Sequence, residues 1–386
     1  MALTLNPNAE KLDVPGIRKF SNRLSEFPDA INLTVGQPDF KTPDIVKQAF
    51  IEAVTHDYTT YSHNQGLYEL RAAVSQFMSE KYDARYTADN ILITNGASEA
   101  IDTVFRTILV PGDEVILPGP IYAGYIPVIE NMGAKVVLID TTQNHCKVTP
   151  QMIAEAVSKK TKAVMLNYPN NPTGTILSAE ETAELAYYLA EQNFYTISDE
   201  IYSENTFNRK HVSFGAFASL KDKLLLINGL SKSHAMTGFR IGFCMGPAEL
   251  MSHITIVHAY NCICANVPAQ HAAITAVTSA KDAAYAMNKI YIDRRDYCID
   301  RLAAMNLQCF QPDGAFYLFI DIRSFNMNSF DFANLALEKY GVVLVPGSTF
   351  TDAGEGYVRL SYAYHKDVLT VGLDRLEAMI TDLSHK

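Results

Sequence analysis

Short apolar runs alternate with helix-like stretches from about residue 90 to residue 245 of the chain. The runs are rich in Val, Ile and Leu and contain few polar residues, which is typical of parallel strands buried on both faces. The stretches between them, such as 97–109 and 179–192, place apolar residues at helical spacing. This alternation predicts an α/β fold with a mostly parallel, seven-stranded sheet covered by helices. The predicted strands are 91–94, 114–117, 135–139, 163–166, 194–197, 224–227 and 241–243.

A second, smaller α+β domain is predicted from the two ends of the chain. The chain has 386 residues, which is more than one hydrophobic core usually holds. Its first part combines loops with a short helix, and its last part begins with a long helical pattern. Strand-like segments follow at 314–320 and 342–345, and a last helix is predicted over 367–383. We therefore expect a large domain of residues 46–280 and a small domain of residues 1–45 and 281–386.

Composition narrows the class of protein. The net charge of −10 argues against nucleic-acid binding. No apolar run reaches membrane-spanning length, and the first residues lack the features of a signal peptide. The six cysteines are scattered without a Cys-x-x-Cys pair, so we expect reduced core residues in a cytosolic protein and no metal site.

Polar residues follow several of the predicted strands. Asn95, Asn171, Asp199 and Lys232 each come shortly after an apolar run. Ligands of parallel sheets bind beyond the carboxyl ends of the strands, where such residues meet. The pattern therefore places a binding site at one edge of the sheet.

Lys232 is the most informative of these residues. It lies just past the predicted strand 224–227, among small residues, and Arg240 follows eight positions later. A lysine in this setting is able to form an imine with an aldehyde while the arginine holds an anion, and pyridoxal phosphate offers both groups. A Ser-Lys pair alone would more often be a surface loop.

The run from Gly229 to Gly242 resembles, position by position, the lysine-attachment signature of the class I/II aminotransferases, which are fold-type I pyridoxal-phosphate enzymes. Further landmarks of that family occur in its order along most of the chain. They are Gly36 to Phe40, Tyr58 to Tyr61 with Gly66, Thr94 to Ser98, Pro118 to Tyr122, Asn167 to Gly174, Ser198 to Tyr202, Pro312 to Tyr317 and Tyr357 to Ser361.

The resemblance implies roles for the residues around the cofactor ring. Lys232 would hold the aldehyde and later carry a proton, so its pKa must be lowered by burial and neighbouring cations. Asp199 would keep the pyridine nitrogen protonated, which lets the ring accept electrons; alone it would read as a helix cap. Tyr202 and Asn171 would bind the phenolic oxygen, and Tyr122 would stack on the ring.

The cofactor phosphate needs several donors. Gly96, Ala97 and Ser98 lie where a predicted strand passes into a predicted helix, and backbone N–H groups at a helix start favour an anion. The resemblance adds Ser231 and Arg240 to the phosphate site. It also adds Tyr61 from a neighbouring subunit, which implies a homodimer with shared active sites.

The resemblance assigns Arg359 to the substrate α-carboxylate, which a guanidinium binds with two parallel hydrogen bonds. The Gly36 backbone and Asn171 would assist it. Ile17 and Arg18 would lie in a segment that covers the mouth of the site. In a Val-Arg-Leu-Ser strand alone, an exposed arginine would be the ordinary explanation.

Transamination between an L-amino acid and a 2-oxo acid, by a ping-pong mechanism with 2-oxoglutarate as acceptor, fits these residues best. A carbon–sulfur β-lyase would share the lysine and both arginines. A non-catalytic pyridoxal-phosphate sensor would need a DNA-binding segment upstream of the fold, which we do not expect here. Segments 5–9, 16–22 and 228–234 resemble the bacterial aminotransferase A group, which includes N-acetyl-L,L-diaminopimelate aminotransferases and relatives acting on aromatic amino acids.

Overall fold

A computed structural model describes residues 4–10, 12 and 23–384 of the protein. The strands are β1 (Ile31–Asn32), β2 (Ile91–Thr94), β3 (Glu114–Gly119), β4 (Lys135–Asp140), β5 (Thr161–Asn167), β6 (Tyr195–Asp199), β7 (Leu224–Gly229), β8 (Gly242–Met245), β9 (Tyr317–Asp321), β10 (Val342–Val343), β11 (Val345–Pro346) and β12 (Tyr357–Ser361).

Helices alternate with these strands along the chain. They are α1 (Pro7–Glu10), α2 (Asp44–Thr55), α3 (Tyr68–Tyr82), α4 (Ala97–Ile108), α5 (Tyr125–Asn131), α6 (Pro150–Ala156), α7 (Ala179–Ala190), α8 (Ala248–Cys262), α9 (Val267–Val277), α10 (Ala283–Ala304), α11 (Ser329–Tyr340) and α12 (Lys366–Ser384).

The central sheet has seven strands in the order β2-β8-β7-β6-β5-β3-β4. Strand β8 is antiparallel to both of its neighbours, and the remaining pairs are parallel. The prediction of a mostly parallel seven-stranded sheet is confirmed. Several strands extend beyond the predicted bounds, and β6 includes Asp199 as its last residue.

Both faces of the central sheet are buried. In β7, Leu224 and Leu226 join the core on one face, while Leu225 and Ile227 join the core on the other. Successive side chains of a strand point to opposite faces, so a strand covered on both sides must be apolar at every position. This is why the parallel strands appear in the sequence as unbroken apolar runs.

Local sequence also sets the helix ends. The Ser178 hydroxyl accepts a hydrogen bond from the backbone N–H of Glu181, and the Glu181 carboxylate accepts one from the backbone N–H of Ser178. This capping box satisfies N–H groups that have no partner inside α7. Helix α11 ends at Tyr340 and is followed by Gly341, which has the left-handed conformation that glycine adopts readily.

The chain ends form a separate packing region. Strands β11, β12 and β9 make a small antiparallel sheet, and β1 pairs with β10. Helices α10, α11 and α12 contribute to the hydrophobic cluster behind these strands. The predicted strand 342–345 is divided, because β10 and β11 belong to different sheets. The domain boundaries near residues 46 and 281 stay a prediction.

Within the described part of the chain, no helix is both long and apolar enough to cross a membrane. The cytosolic location stays a prediction.

Candidate active site

A cavity of about 330 Å³ lies at the carboxyl ends of the central parallel strands. The chain-end region closes it, because Arg359 of β12 and the segment from Val35 to Gln37 form part of its wall. Most of the predicted site residues line this cavity. They are Gly36, Ala97, Ser98, Tyr122, Asn171, Asp199, Tyr202, Ser231, Lys232, Arg240 and Arg359.

Lys232 follows β7 by three residues and borders the cavity. Its Nζ atom donates a 2.5 Å hydrogen bond to the carbonyl oxygen of Gly36. Burial of the amine, together with the charges of Arg359 and Arg240, lowers the pKa of Lys232 to about 8. A buried lysine with nearby cations is easily deprotonated, so it serves as a nucleophile and a base.

Asp199 ends β6 and is buried beside the cavity. The Tyr125 hydroxyl donates a 2.7 Å hydrogen bond to Oδ2, and the backbone N–H of Ile201 donates to Oδ1 at 3.1 Å. Burial raises the pKa of Asp199 to about 6, against the effect of these two hydrogen bonds. The carboxylate is thus fixed in place but remains poorly solvated, which favours pairing with a cationic ligand group.

Two asparagines link the main sheet to Arg359. The Asn167 side chain donates to the carbonyl oxygen of Asp199 at 3.1 Å and accepts from the backbone N–H of Asn171 at 3.0 Å. The Asn171 side-chain oxygen then accepts from Nη1 of Arg359 at 2.7 Å. Asn171 is therefore placed by the end of β5, although it lies four residues past that strand.

Arg359 is 2% exposed, in the middle of β12. Its other short contact is from Nη2 to the carbonyl oxygen of Thr34, at 2.6 Å. Within the described residues, Nε has no hydrogen-bond partner and no carboxylate pairs with the guanidinium. A buried cation without an anion is costly, so the geometry suits an anionic ligand that Arg359 would bind from the cavity.

The turn between β2 and α4 forms another wall. Gly96 precedes α4 with a φ of +82°, and a Cβ atom there would overlap the guanidinium of Arg240. Ala97 and Ser98 begin the helix, so their N–H groups lie among those without partners inside it. Arg240 donates to the carbonyl oxygen of Asn95 in this turn and to that of Thr237, and the buried Ser231 completes this wall.

Among the described residues, two predicted site residues stand apart from the cavity lining, and a third lies outside the described part of the chain. Gly96 lies behind the lining, against Arg240. Tyr61 is 78% exposed and lies on the surface of this chain. Ile17 is outside the described residues.

Sequence reasoning missed other residues that line the cavity, among them Tyr125, Asn167, Thr237 and Tyr317. Two of them had a local signal. Tyr125 is three positions after Tyr122, within helical reach, and Asn167 ends an apolar run. Tyr317 lies within a landmark of the resemblance but received no role there.

The fold and the site define a class of enzyme. The sequence model described as Aminotransferase class I and II matches residues 28–376, and the chain belongs to that family. It is an aminotransferase, as its relatives are. The probable N-acetyl-LL-diaminopimelate aminotransferase of Bacillus subtilis (strain 168) is 51% identical over 377 residues, which cover 97% of this chain and 95% of that protein.

Solved structures of aminotransferases are similar to this protein over nearly the whole chain. The aromatic aminotransferase of Pyrococcus horikoshii OT3 is 33% identical, with a TM-score of 0.89 over 94% of this chain and 99% of that one. The aspartate aminotransferase of Thermus thermophilus with maleate is 31% identical, with a TM-score of 0.93 over 98% of this chain and 100% of that one. The predictions of the family, of the fold-type I architecture and of an aminotransferase are confirmed.

Proposed function

We propose that the protein uses pyridoxal phosphate to move an amino group from an L-amino acid to 2-oxoglutarate, in a ping-pong cycle. The supporting observation is one cavity that joins Lys232, whose pKa is lowered, to Asp199 and to Arg359, which has no carboxylate partner among the described residues. Members of the family generally depend on this cofactor.

The residues present fit the cofactor. Lys232 would hold its aldehyde carbon, and Asp199 would pair with its protonated ring nitrogen, since this carboxylate is buried and accepts only neutral donors among the described residues. The start of α4 with Ser98, Ser231 and Arg240 would hold its phosphate. Pyridoxal phosphate supplies an electron-accepting ring that makes the α-hydrogen of a bound amino acid acidic.

The side chains then divide the remaining work. The amine of Lys232, in its neutral form, would accept the proton that leaves the substrate α-carbon. Asp199 would stabilise the positive charge of the ring nitrogen. Arg359 holds the α-carboxylate, which fixes the α-carbon within reach of Lys232.

One carboxylate site supports a ping-pong order. Among the described residues, Lys232, Arg240 and Arg359 are the cations that line the cavity. Arg240 would bind the cofactor phosphate, and Lys232 would bind the aldehyde and move the proton. Arg359 is therefore left to bind the α-carboxylate of the donor and, after product release, that of the acceptor. We propose N-acetyl-L,L-diaminopimelate as the donor, on the strength of the 51% identical relative, and an aromatic amino acid as second choice.

We also propose a homodimer in which Tyr61 completes the phosphate site of the partner subunit. The support is its exposure of 78% on a surface with other exposed apolar side chains, including Tyr58 at 52%. An aromatic side chain this exposed on one chain is suited to burial against a partner.

The test is a panel of amino donors against 2-oxoglutarate, with the absorbance spectrum of the cofactor-loaded protein followed during each addition. We expect the preferred donor to convert the spectrum to that of pyridoxamine phosphate and to produce glutamate. Release of pyruvate and ammonia would instead indicate a β-lyase. Spectral change without any product would indicate a sensor and would overturn the proposal.

A further inference from the structure

Tyr317 lines the cavity between Tyr202 and Arg359. It is 1% exposed and begins β9, and its hydroxyl oxygen is 2.7 Å from the hydroxyl oxygen of Tyr202. Its ring lies under the guanidinium of Arg359, with 4.3 Å between Cζ and the ring centroid. One side chain therefore contacts both Tyr202, which would bind the cofactor, and Arg359, which would bind the substrate carboxylate.

Gly36 shows how closely this hydroxyl is enclosed. A Cβ atom at position 36 would overlap the Tyr317 hydroxyl oxygen, so only glycine leaves room for it. The carbonyl of the same glycine accepts the hydrogen bond from Lys232. The Tyr317 hydroxyl is thus held between Tyr202 and the segment that contacts the lysine.

We propose that Tyr317 is a positioning residue that sets Tyr202 for the cofactor through its hydroxyl and sets Arg359 for the substrate carboxylate through its ring. The inference rests on the proposed function, because both targets belong to that site.

The hydroxyl acts through the hydrogen-bond capacity of Tyr202. A phenol donates one proton and accepts on its oxygen. When Tyr317 donates to Tyr202, the proton of Tyr202 remains available for the phenolic oxygen of the cofactor, and the chain of hydrogen bonds strengthens that donation. If the hydrogen bond from Tyr202 were weakened, the phenolic oxygen of the cofactor would hold a proton more strongly.

The ring acts on Arg359. A guanidinium over an aromatic face is attracted by the ring, and the effect is larger where water is excluded, as it is here. Phe350 supports another side of the same group, with its ring centroid 4.9 Å from Cζ. The guanidinium is therefore oriented by two rings and two carbonyl-type acceptors before any carboxylate arrives.

The test compares Tyr317→Phe with Tyr291→Phe. Tyr291 is 0% exposed, lies in the same hydrophobic cluster, and has a buried hydroxyl without a hydrogen-bond partner among the described residues. Both variants lose one buried hydroxyl and keep the ring. We expect the pH midpoint of the visible absorbance of the cofactor-loaded protein to rise in Tyr317→Phe and to stay unchanged in Tyr291→Phe.

A double-mutant cycle with Tyr202→Phe tests whether the two hydroxyls act as one unit. We expect the effect of Tyr317→Phe on this midpoint to vanish in the Tyr202→Phe background, since contacting groups are not additive. Tyr317→Leu, which also removes the ring, should raise KM for both donor and acceptor by a further factor of about 5 to 20.

Equal midpoints in Tyr317→Phe and Tyr291→Phe, or additive effects in the cycle, would overturn the role of the hydroxyl. A KM unchanged between the Phe and Leu variants would overturn the role of the ring. If Tyr317→Leu does not fold, the Phe variant and the cycle still decide the proposal. Failure of the proposed function appears differently, as wild-type protein that does not bind pyridoxal phosphate or does not turn over.

Discussion

The amine of Lys232 donates a hydrogen bond of 2.5 Å to the carbonyl oxygen of Gly36, a residue 196 positions earlier in the chain. The bond joins the loop after β7 to the segment that closes the cavity from the chain-end region. It places the lysine beside Arg359 and Arg240, whose charges help to lower its pKa. The reactivity of the lysine thus depends on residues from three distant parts of the sequence.

Lys232→Ala should abolish turnover, because it removes the group that holds the aldehyde and the group that moves the proton. Binding of pyridoxal phosphate should persist at reduced affinity, since the residues at the start of α4 remain. Steady-state rates and a fluorescence titration with the cofactor measure the two effects. Lys221→Ala, at an exposed lysine, is the control and should behave as wild type; more than trace activity in Lys232→Ala contradicts the mechanism.

Lys232→Met should stabilise the cofactor-free protein near pH 7, because it removes a buried cation. The pKa of about 8 in the folded protein lies below the ordinary value of 10.5. Wild-type protein therefore bears the full cost of the charge below pH 8, and regains stability as the pH rises from 8 to 10.5. The difference in unfolding free energy should be at most about 3 kcal/mol and should shrink over that range. Urea unfolding at several pH values measures it, and a difference independent of pH would refute the assignment.

Asp199→Asn should keep the fold, because the amide oxygen can accept from the backbone N–H of Ile201 while the amide NH2 donates to the Tyr125 hydroxyl. The neutral amide would not hold a proton on the ring nitrogen. We expect kcat to fall by about a thousandfold, which corresponds to roughly 4 kcal/mol of transition-state stabilisation. Asp140→Asn is a matched control, since Asp140 ends β4 at the same sheet edge but is exposed. A loss of less than tenfold would show that Asp199 only shapes the turn after β6.

Arg359→Lys should weaken the donor and acceptor half-reactions together, because the same guanidinium holds the carboxylate of both. Lysine keeps the charge but loses the paired hydrogen bonds. We therefore expect kcat/KM of each half-reaction to fall by an amount that corresponds to roughly 2–4 kcal/mol of transition-state stabilisation. Single-turnover measurements separate the two. Arg323→Lys, at an exposed arginine of the same region, should change neither. Damage to the donor half alone would assign Arg359 to the side-chain pocket.

Mixing Tyr61→Ala with Lys232→Ala should restore activity at limiting cofactor if the tyrosine acts across a dimer. In the heterodimer, one site then combines the intact lysine of one chain with the intact tyrosine of the other. With random exchange of subunits, about a quarter of wild-type activity is expected. Tyr61→Ala mixed with wild type is the control and should show no gain on mixing, because subunit exchange leaves its number of intact lysine–tyrosine sites unchanged. No gain on mixing, although heterodimers form, would place Tyr61 outside the partner's site.

The sequence predicts the central sheet well because its strands are apolar at every position. It predicts the chain-end region less well. The segment 342–345 reads as one strand, but Leu344 separates two short strands that pair in different sheets. Nothing local distinguishes these pairings, since both depend on which distant strand lies alongside.

The candidate site shows the same limit. Lys232 and Asp199 follow apolar runs, so strand periodicity alone places them at one sheet edge. The role of Arg359 is predicted only by the family resemblance, because an arginine in a short strand is usually an exposed surface residue. Tyr317 was assigned no role, since its importance lies in a hydroxyl contact with Tyr202 across 115 positions.

The contacts of Arg359 also bear on the order in which the site is completed during synthesis. Its guanidinium donates to Thr34, 325 positions earlier, and to Asn171, 188 positions earlier. A growing chain that ends before β12 already contains Lys232, Asp199 and the turn between β2 and α4 that faces Arg240. Because domains fold as the chain emerges from the ribosome, such a chain would, under the proposed function, bind the cofactor before it could hold a substrate. Under the same proposal, β12 would add the substrate site to a chain that already binds the cofactor, and products truncated before β12 would sequester cofactor without consuming amino acids.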